Sequence, residues 1–175
     1  NINDKTKAIV QMTLTTYDES LCKILEPNVS STYERFEALM QFKKAGIPTI
    51  VWLTPILPFI NDTEENIKGI LDYCVQAGVK GIICFSMGVT MREGDREYFY
   101  HALDKYFPGM KNKYIRTYGN AYDCPSPNND RLLDFFRKYS TRYGIMHKTE
   151  ECFRYMYTFP QKYEQMSFEK FLTNN

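Results

Sequence analysis

Residues 49–65 (TIVWLTPILPFINDTEE) constrain the fold more than any other stretch, because they pass from buried strand to turn-rich loop to helix start. Ile50, Val51, Trp52 and Leu53 form an unbroken apolar run rich in β-branched and aromatic side chains. That is the pattern of a strand covered on both faces in a parallel sheet. Pro55 and Pro58 end the pairing, since proline has no N–H to give a ladder. Asp62 and Glu65 then stand at capping-box spacing, which predicts a helix over 62–77. In α/β folds ligands gather at the carboxyl ends of strands, so Thr54 and the Pro-x-x-Pro loop stand where a site would be. The same residues also suit a rigid strand-to-helix connection with no further role.

The unit occurs three times. Residues 8–16 alternate Ile9, Gln11, Thr13 and Thr15 against Val10, Met12 and Leu14, a strand with one polar and one apolar face. Threonines in that register suit a ligand-facing surface, although threonine is also simply a good strand former. A short helix over 17–25 and a longer one from Ser31, with Glu34 at capping-box spacing, lead to the strand at 49–54. After the helix at 62–77, Gly78 precedes a third strand at 81–86. Strands separated by single helices make a parallel β/α layer. Three strands are too few to close a barrel, which takes about eight, so upstream strands are expected. The polar opening, Asn1 to Lys7, lacks an initiator methionine, and a truncated chain is the expectation drawn from it.

At 175 residues the chain has the length of one domain. The reading divides it into the β/α layer at 1–107 and a helical extension with a tail at 108–175. A formal net charge of +1 gives no global electrostatic case for nucleic acid. Lys111 to Tyr122 does interleave Lys111, Lys113 and Arg116 with Tyr114, Tyr118 and Tyr122, a mixture suited either to phosphates and unstacked bases or to packing at a domain edge. The five cysteines are scattered, the closest pair ten positions apart, and form no metal or redox motif. No secretory signal or long apolar run is visible, so reduced thiols in a cytoplasm and no membrane contact are expected.

Four motifs occur in order: Leu25-Glu26-Pro27, Ser31 through Arg35, Ala45-Gly46-Ile47-Pro48, and Pro55-Ile56-x-Pro58-x-x-Asn61-Asp62. As a set, within residues 10–65, they resemble the radical S-adenosylmethionine (SAM) superfamily, in its spore photoproduct lyase-like, DNA repair photolyase branch. The resemblance continues with less force through 82–144. It implies the carboxyl-terminal half of a partial (β/α)6 barrel, with SAM and a 4Fe-4S cluster as cofactors of the full-length protein. It implies reductive cleavage of SAM to a 5′-deoxyadenosyl radical and, for this branch, a pyrimidine lesion in DNA as substrate. The chain departs from the family in lacking Cys-x-x-x-Cys-x-x-Cys, which holds the cluster. No bound cofactor and no activity are therefore expected of this chain alone.

Residue by residue, Thr13 and Thr15 match the strand that offers hydroxyls to SAM. Arg35 resembles a basic residue that grips its carboxylate, a contact that suits a guanidinium, or else forms a surface ion pair with Glu34 or Glu37. Thr54, Ile56 and Pro58 match the loop packed on adenine, and Ser86 ends the strand presented to the adenine edge. Arg92, Arg96, Arg116, Tyr118 and Tyr122 are substrate-side candidates by chemistry alone. Two readings from other classes stand beside this one. The first is a non-catalytic β/α binding or scaffold module. The second is a clamp-binding tail, since Gln165-Met166-Ser167-Phe168 looks like a degenerate sliding-clamp peptide. An unpaired sheet edge would also invite dimerisation through the first strand.

Overall fold

The computed structural model describes residues 2–159, apart from the side chains of Asp4 and Lys5. A single turn, α1 (Ile2–Lys5), precedes β1 (Val10–Thr13), β2 (Thr49–Trp52) and β3 (Gly81–Ile83). These strands form one parallel sheet in the order β1-β2-β3, with Val10 opposite Thr49 and Ile50 opposite Gly81. The chain is thus α/β with a three-stranded parallel layer, as its alternating pattern predicts. β1 lies at one margin. Beyond β3 the sheet gains one isolated bridge, where Met146 N donates to Lys80 O at 3.1 Å and Met146 O accepts from Ile82 N at 2.8 Å.

Helices α2 (Glu19–Leu25) and α3 (Thr32–Lys44) connect β1 to β2, and α4 (Glu64–Ala77) connects β2 to β3. Ser31 and Glu34 form the expected capping box: Glu34 N donates to Ser31 Oγ at 3.3 Å and Ser31 N to Glu34 Oε2 at 2.8 Å. The cap expected at Asp62 is displaced. α4 starts one residue later on Thr63, whose Oγ1 accepts from Asn66 N at 3.1 Å. Asp62 instead turns inward, where it accepts a hydrogen bond from the Ser126 hydroxyl. At the other end Gly78 takes φ 63°, the left-handed geometry that favours glycine after a helix.

β4 (Gly88–Thr90) pairs antiparallel with β5 (Asp123–Pro125), and between them lie α5 (Asp95–Tyr106) and α6 (Met110–Tyr118). Gly88 is required there, because a Cβ would stand 2.7 Å from Cys124 O and 2.8 Å from Pro125 Cα. α7 (Asn129–Arg142) and α8 (Thr149–Tyr157) follow. α8 begins at Thr149, and its N-cap, Lys148, makes no side-chain bond.

Helices cover both faces of the sheet. Val51, Leu53 and Ile82 point to α3, α4 and α7, packing with Leu39, Ile67, Ile70, Leu132 and Phe136. Residues on both sides of position 107 share this core. Ile50 and Ile83, one position off, point the other way and pack on Cys152 and Met156 of α8. The alternation of side chains along β2 makes both packings possible, and each fully buried Ile or Leu contributes about 1.5–3 kcal/mol. Among the described residues no helix is long and apolar enough to cross a membrane.

Candidate functional site

The carboxyl ends of β1 and β2 open into a cavity of about 480 Å³. Thr13 and Thr15 line it from the end of β1, Glu26 and Pro27 from the turn after α2, and Pro55 and Asn61 from the loop after β2. Its far wall is α5.

Two buried asparagines set this geometry. Asn61 Nδ2 donates to Thr15 O at 3.0 Å and Thr16 Oγ1 at 3.1 Å, while its Oδ1 accepts from Leu57 N at 2.6 Å. Asn66 Nδ2 donates to Thr15 O and Asn61 O, both at 2.9 Å, and its Oδ1 accepts from Tyr17 N at 2.6 Å. Chain leaving β1 is thereby tied to the start of α4. Buried amides satisfied at both ends hold backbone more firmly than apolar contact alone.

Glu26 is one of two charged residues of the cavity wall, with Asp95. Its Oε1 accepts from Thr15 Oγ1 at 3.0 Å and its Oε2 pairs with Arg35 at 2.5 Å. Arg35 also donates from Nη1 to Thr13 O at 3.1 Å, and its side chain is only 11% exposed. The ion pair weighed for Arg35 exists, therefore, but with Glu26 rather than Glu34 or Glu37. Arg35, which is not among the lining residues, holds Glu26, which is, and so acts as a positioning residue. Sequence reasoning quoted Glu26 only as part of a motif; the signal was its place between two cavity-lining elements.

The remaining residues separate. Ile56 is fully buried in the main core, and Pro58 is buried with its carbonyl accepting from Tyr114 Oη at 2.7 Å. Thr54 is half-buried and precedes Pro55, whose peptide bond with it is cis. Ser86 is exposed beyond β3, outside the cavity lining.

The basic, tyrosine-rich segment at 111–122 is mostly α6, turned inward on the loop after β2. Tyr114 meets Phe59 edge-on at 5.6 Å, and the Lys113 ammonium lies 4.0 Å over the same ring. Tyr118 donates to Pro125 O at 2.6 Å, and Arg116 Nε to Asn112 O at 3.3 Å within its own helix. Arg96 donates to the carbonyls of Met91, Gly119 and Ala121, which joins α5 to the turn before β5. Arg92 and Tyr122 share a separate depression, where hydrogen bonding to Tyr122 raises the Arg92 pKa. Of the five substrate-side candidates, none lines the main cavity. The tail motif at 165–168 lies outside the described residues.

All five cysteines are free and buried. Burial pushes the Cys84 thiol up to about 12, with Arg137 pulling the other way, and raises Cys74 further. Among the described residues no three His, Cys, Asp or Glu side chains converge to hold a metal ion.

No family model matches the chain. It is similar to uncharacterized proteins of Mycobacterium bovis and of two strains of Mycobacterium tuberculosis, at 25% identity over 125 residues, covering 71% of this chain. The match spans 36% of those relatives, so the chain corresponds to about a third of their length. Among solved structures it is similar to a domain of pyruvate-formate lyase-activating enzyme from Bacteroides vulgatus. That likeness has a TM-score of 0.49 at 12% identity and covers 80% of this chain and 65% of the other.

Proposed function

We propose that this chain is the carboxyl-terminal half of a radical SAM partial barrel and that the cavity at its strand ends receives S-adenosylmethionine. The observation that supports this most directly is convergence. Glu26-Pro27, Pro55 and Asn61, members of two motifs about thirty residues apart, wall one cavity together with Thr13 and Thr15. The donor set fits the ligand: Glu26 suits an ammonium group or a ribose diol, the Thr13 hydroxyl can accept or donate, and the Thr15 hydroxyl, whose proton goes to Glu26, can accept. Bound SAM supplies the hydrogen-abstracting chemistry of the superfamily. The chain's own part is to orient it, with Arg35 fixing Glu26, and the two asparagines fixing the strand end. A 4Fe-4S cluster does not fit the described residues, whose cysteines are buried apart from one another, and no step is assigned to one held here. The branch-level assignment, repair of a pyrimidine lesion in DNA, rests on the motif set alone.

Calorimetric titration of SAM into the cluster-reconstituted full-length protein tests the reading. Saturable binding is expected, weakened by about 1–3 kcal/mol in Glu26→Gln, the scale of a charge-assisted hydrogen bond. Binding unchanged in Glu26→Gln would remove Glu26 from the site, and no SAM binding by the folded, reconstituted protein would return it to the class of non-catalytic β/α modules.

A further inference from the structure

A second cavity, of about 340 Å³, opens at the β3 side of the sheet and shares no lining residue with the first. It lies at the carboxyl ends of two neighbouring parallel segments. β3 runs on into Cys84 and Phe85, and the segment that bridges to it, with Met146 opposite Gly81, runs on into His147 and Lys148. α7 and the start of α8 supply the rest of the lining. Crevices beyond the carboxyl ends of strands are where α/β sheets bind small ligands, and the volume is at the low end of the range for such sites.

The lining offers apolar surface and two charges without partners. Leu133 and Phe136 of α7 are buried, and Phe85 is 59% exposed. Four lining side chains are charged or titratable: Arg137, His147, Lys148 and Glu150. Lys148 is paired with Glu151 at 3.3 Å. Arg137 and Glu150 are exposed, and among the described residues neither takes part in an ion pair. The Arg137 guanidinium stands near enough to the Cys84 thiol to oppose the shift that burial gives it. His147 donates from Nδ1 to Ile145 O at 3.2 Å, the one role that a carbonyl partner allows, and in the neutral ring this leaves Nε2 as an acceptor. A simple anion here would meet Glu150 as well as Arg137, and a simple cation the reverse. A zwitterion matches both. Its carboxylate takes the paired N–H donors of the guanidinium, its ammonium donates to Glu150 and to His147 Nε2, and an uncharged side chain covers Phe85, Leu133 and Phe136.

We infer that this second cavity is a binding site for a free α-amino acid with an apolar side chain. The site is separate from the SAM cavity and does not depend on that reading. L-phenylalanine and L-leucine are titrated by calorimetry into the full-length protein. Beside them are titrated their amides, which lack the carboxylate, their N-acetyl derivatives, which lack the ammonium, and L-glutamate, whose side chain carries a further negative charge. Saturable binding is expected for at least one of the two amino acids. Its amide, its N-acetyl derivative and L-glutamate should each bind about tenfold more weakly or worse, the scale of one charge-assisted hydrogen bond. Arg137→Gln and Glu150→Gln, both at exposed helix positions, should each weaken the parent amino acid by about the same factor with the far-UV spectrum unchanged. Glu26→Gln, in the first cavity, should leave its affinity unaltered. No saturable binding of either amino acid, a derivative or L-glutamate bound as tightly as the parent, indifference to Arg137→Gln or Glu150→Gln, or loss through Glu26→Gln would overturn the inference. SAM titrated in parallel separates the two claims: amino-acid binding by a protein that takes up no SAM keeps this inference, and SAM binding by a protein that takes up neither amino acid removes it.

Discussion

Glu26 and Arg35 show how a motif reads differently once its partner is visible. From sequence, the arginine is the attractive ligand-binding group, because a free guanidinium matches a carboxylate. In the fold its charge is already matched at 2.5 Å by Glu26, and of the two it is the glutamate that lines the cavity. Such a pair, with side chains 11% and 24% exposed, lies between the surface and the interior. Removing one member strands the other. Arg35→Ala should therefore destabilise the chain by about 2 kcal/mol, within the range between exposed and buried pairs, and Arg35→Ala combined with Glu26→Gln should cost less than the sum. A double-mutant cycle by urea denaturation measures this, and additive costs would mean that the pair contributes nothing. The thiols give a second expectation at this scale. With all five cysteines buried, and Cys84 pushed up to about 12, Ellman's reagent at pH 8 should titrate few thiols before denaturant is added and five afterwards. Rapid reaction of the folded chain would show the β3 end to be open.

Elements were legible where periodicity and caps agreed. The strand run at Ile50–Leu53, the Ser31–Glu34 box and Gly78 each state their role within a few residues, since the forces involved are local. α6 and the β4–β5 ribbon were not legible, for two different reasons. Three-residue strands are too short to show alternation, and β4 finds its partner only 35 residues later. In α6 the tyrosines that suggest bases face Phe59 and Pro58 instead, a tertiary choice that spacing alone cannot reveal. Packing of α7 on α4 carries a pH dependence. Tyr139 Oη donates to Asp72, which also pairs with Lys68 at 2.7 Å. Burial works to raise the Asp72 pKa, but the bonds from Lys68 and Tyr139 outweigh it and hold the carboxyl below its ordinary 3.8. A carboxyl depressed on folding stabilises the protein above its unfolded pKa and loses that contribution as pH falls through the folded value. Tyr139→Phe should accordingly cost about 1 kcal/mol at pH 7 and less at pH 3, as read from denaturation midpoints at the two pH values. An equal cost at both would assign the effect to packing alone.

At the scale of the whole molecule, the three parallel strands, the helical crossovers and the strand-end location of Thr13 and Thr15 follow from sequence pattern. The covering of the second sheet face does not. A buried run such as Ile50–Leu53 announces that both faces are covered, but not by what, and α8 lies some hundred residues downstream of β2. Its docking joins the last described helix to the centre of the sheet: Cys152 and Met156 pack on Ile50 and Ile83, and a Cβ on Gly81 would stand 2.8 Å from Cys152 Sγ. The chain's single tryptophan reports on this contact. Trp52 donates from Nε1 to Gln11 Oε1 at 2.9 Å and lies 6.1 Å from the Phe85 ring and 6.2 Å from Phe153 of α8. Truncating Met156 to alanine removes buried methylenes from the seam and should cost about 2–4 kcal/mol. Because α3, α4 and α7 pack on the opposite face, that loss should loosen α8 before the rest. In Met156→Ala, Trp52 emission is expected to shift red at lower denaturant than the far-UV signal is lost, whereas coincident transitions would mean that both faces of the sheet unfold as one unit.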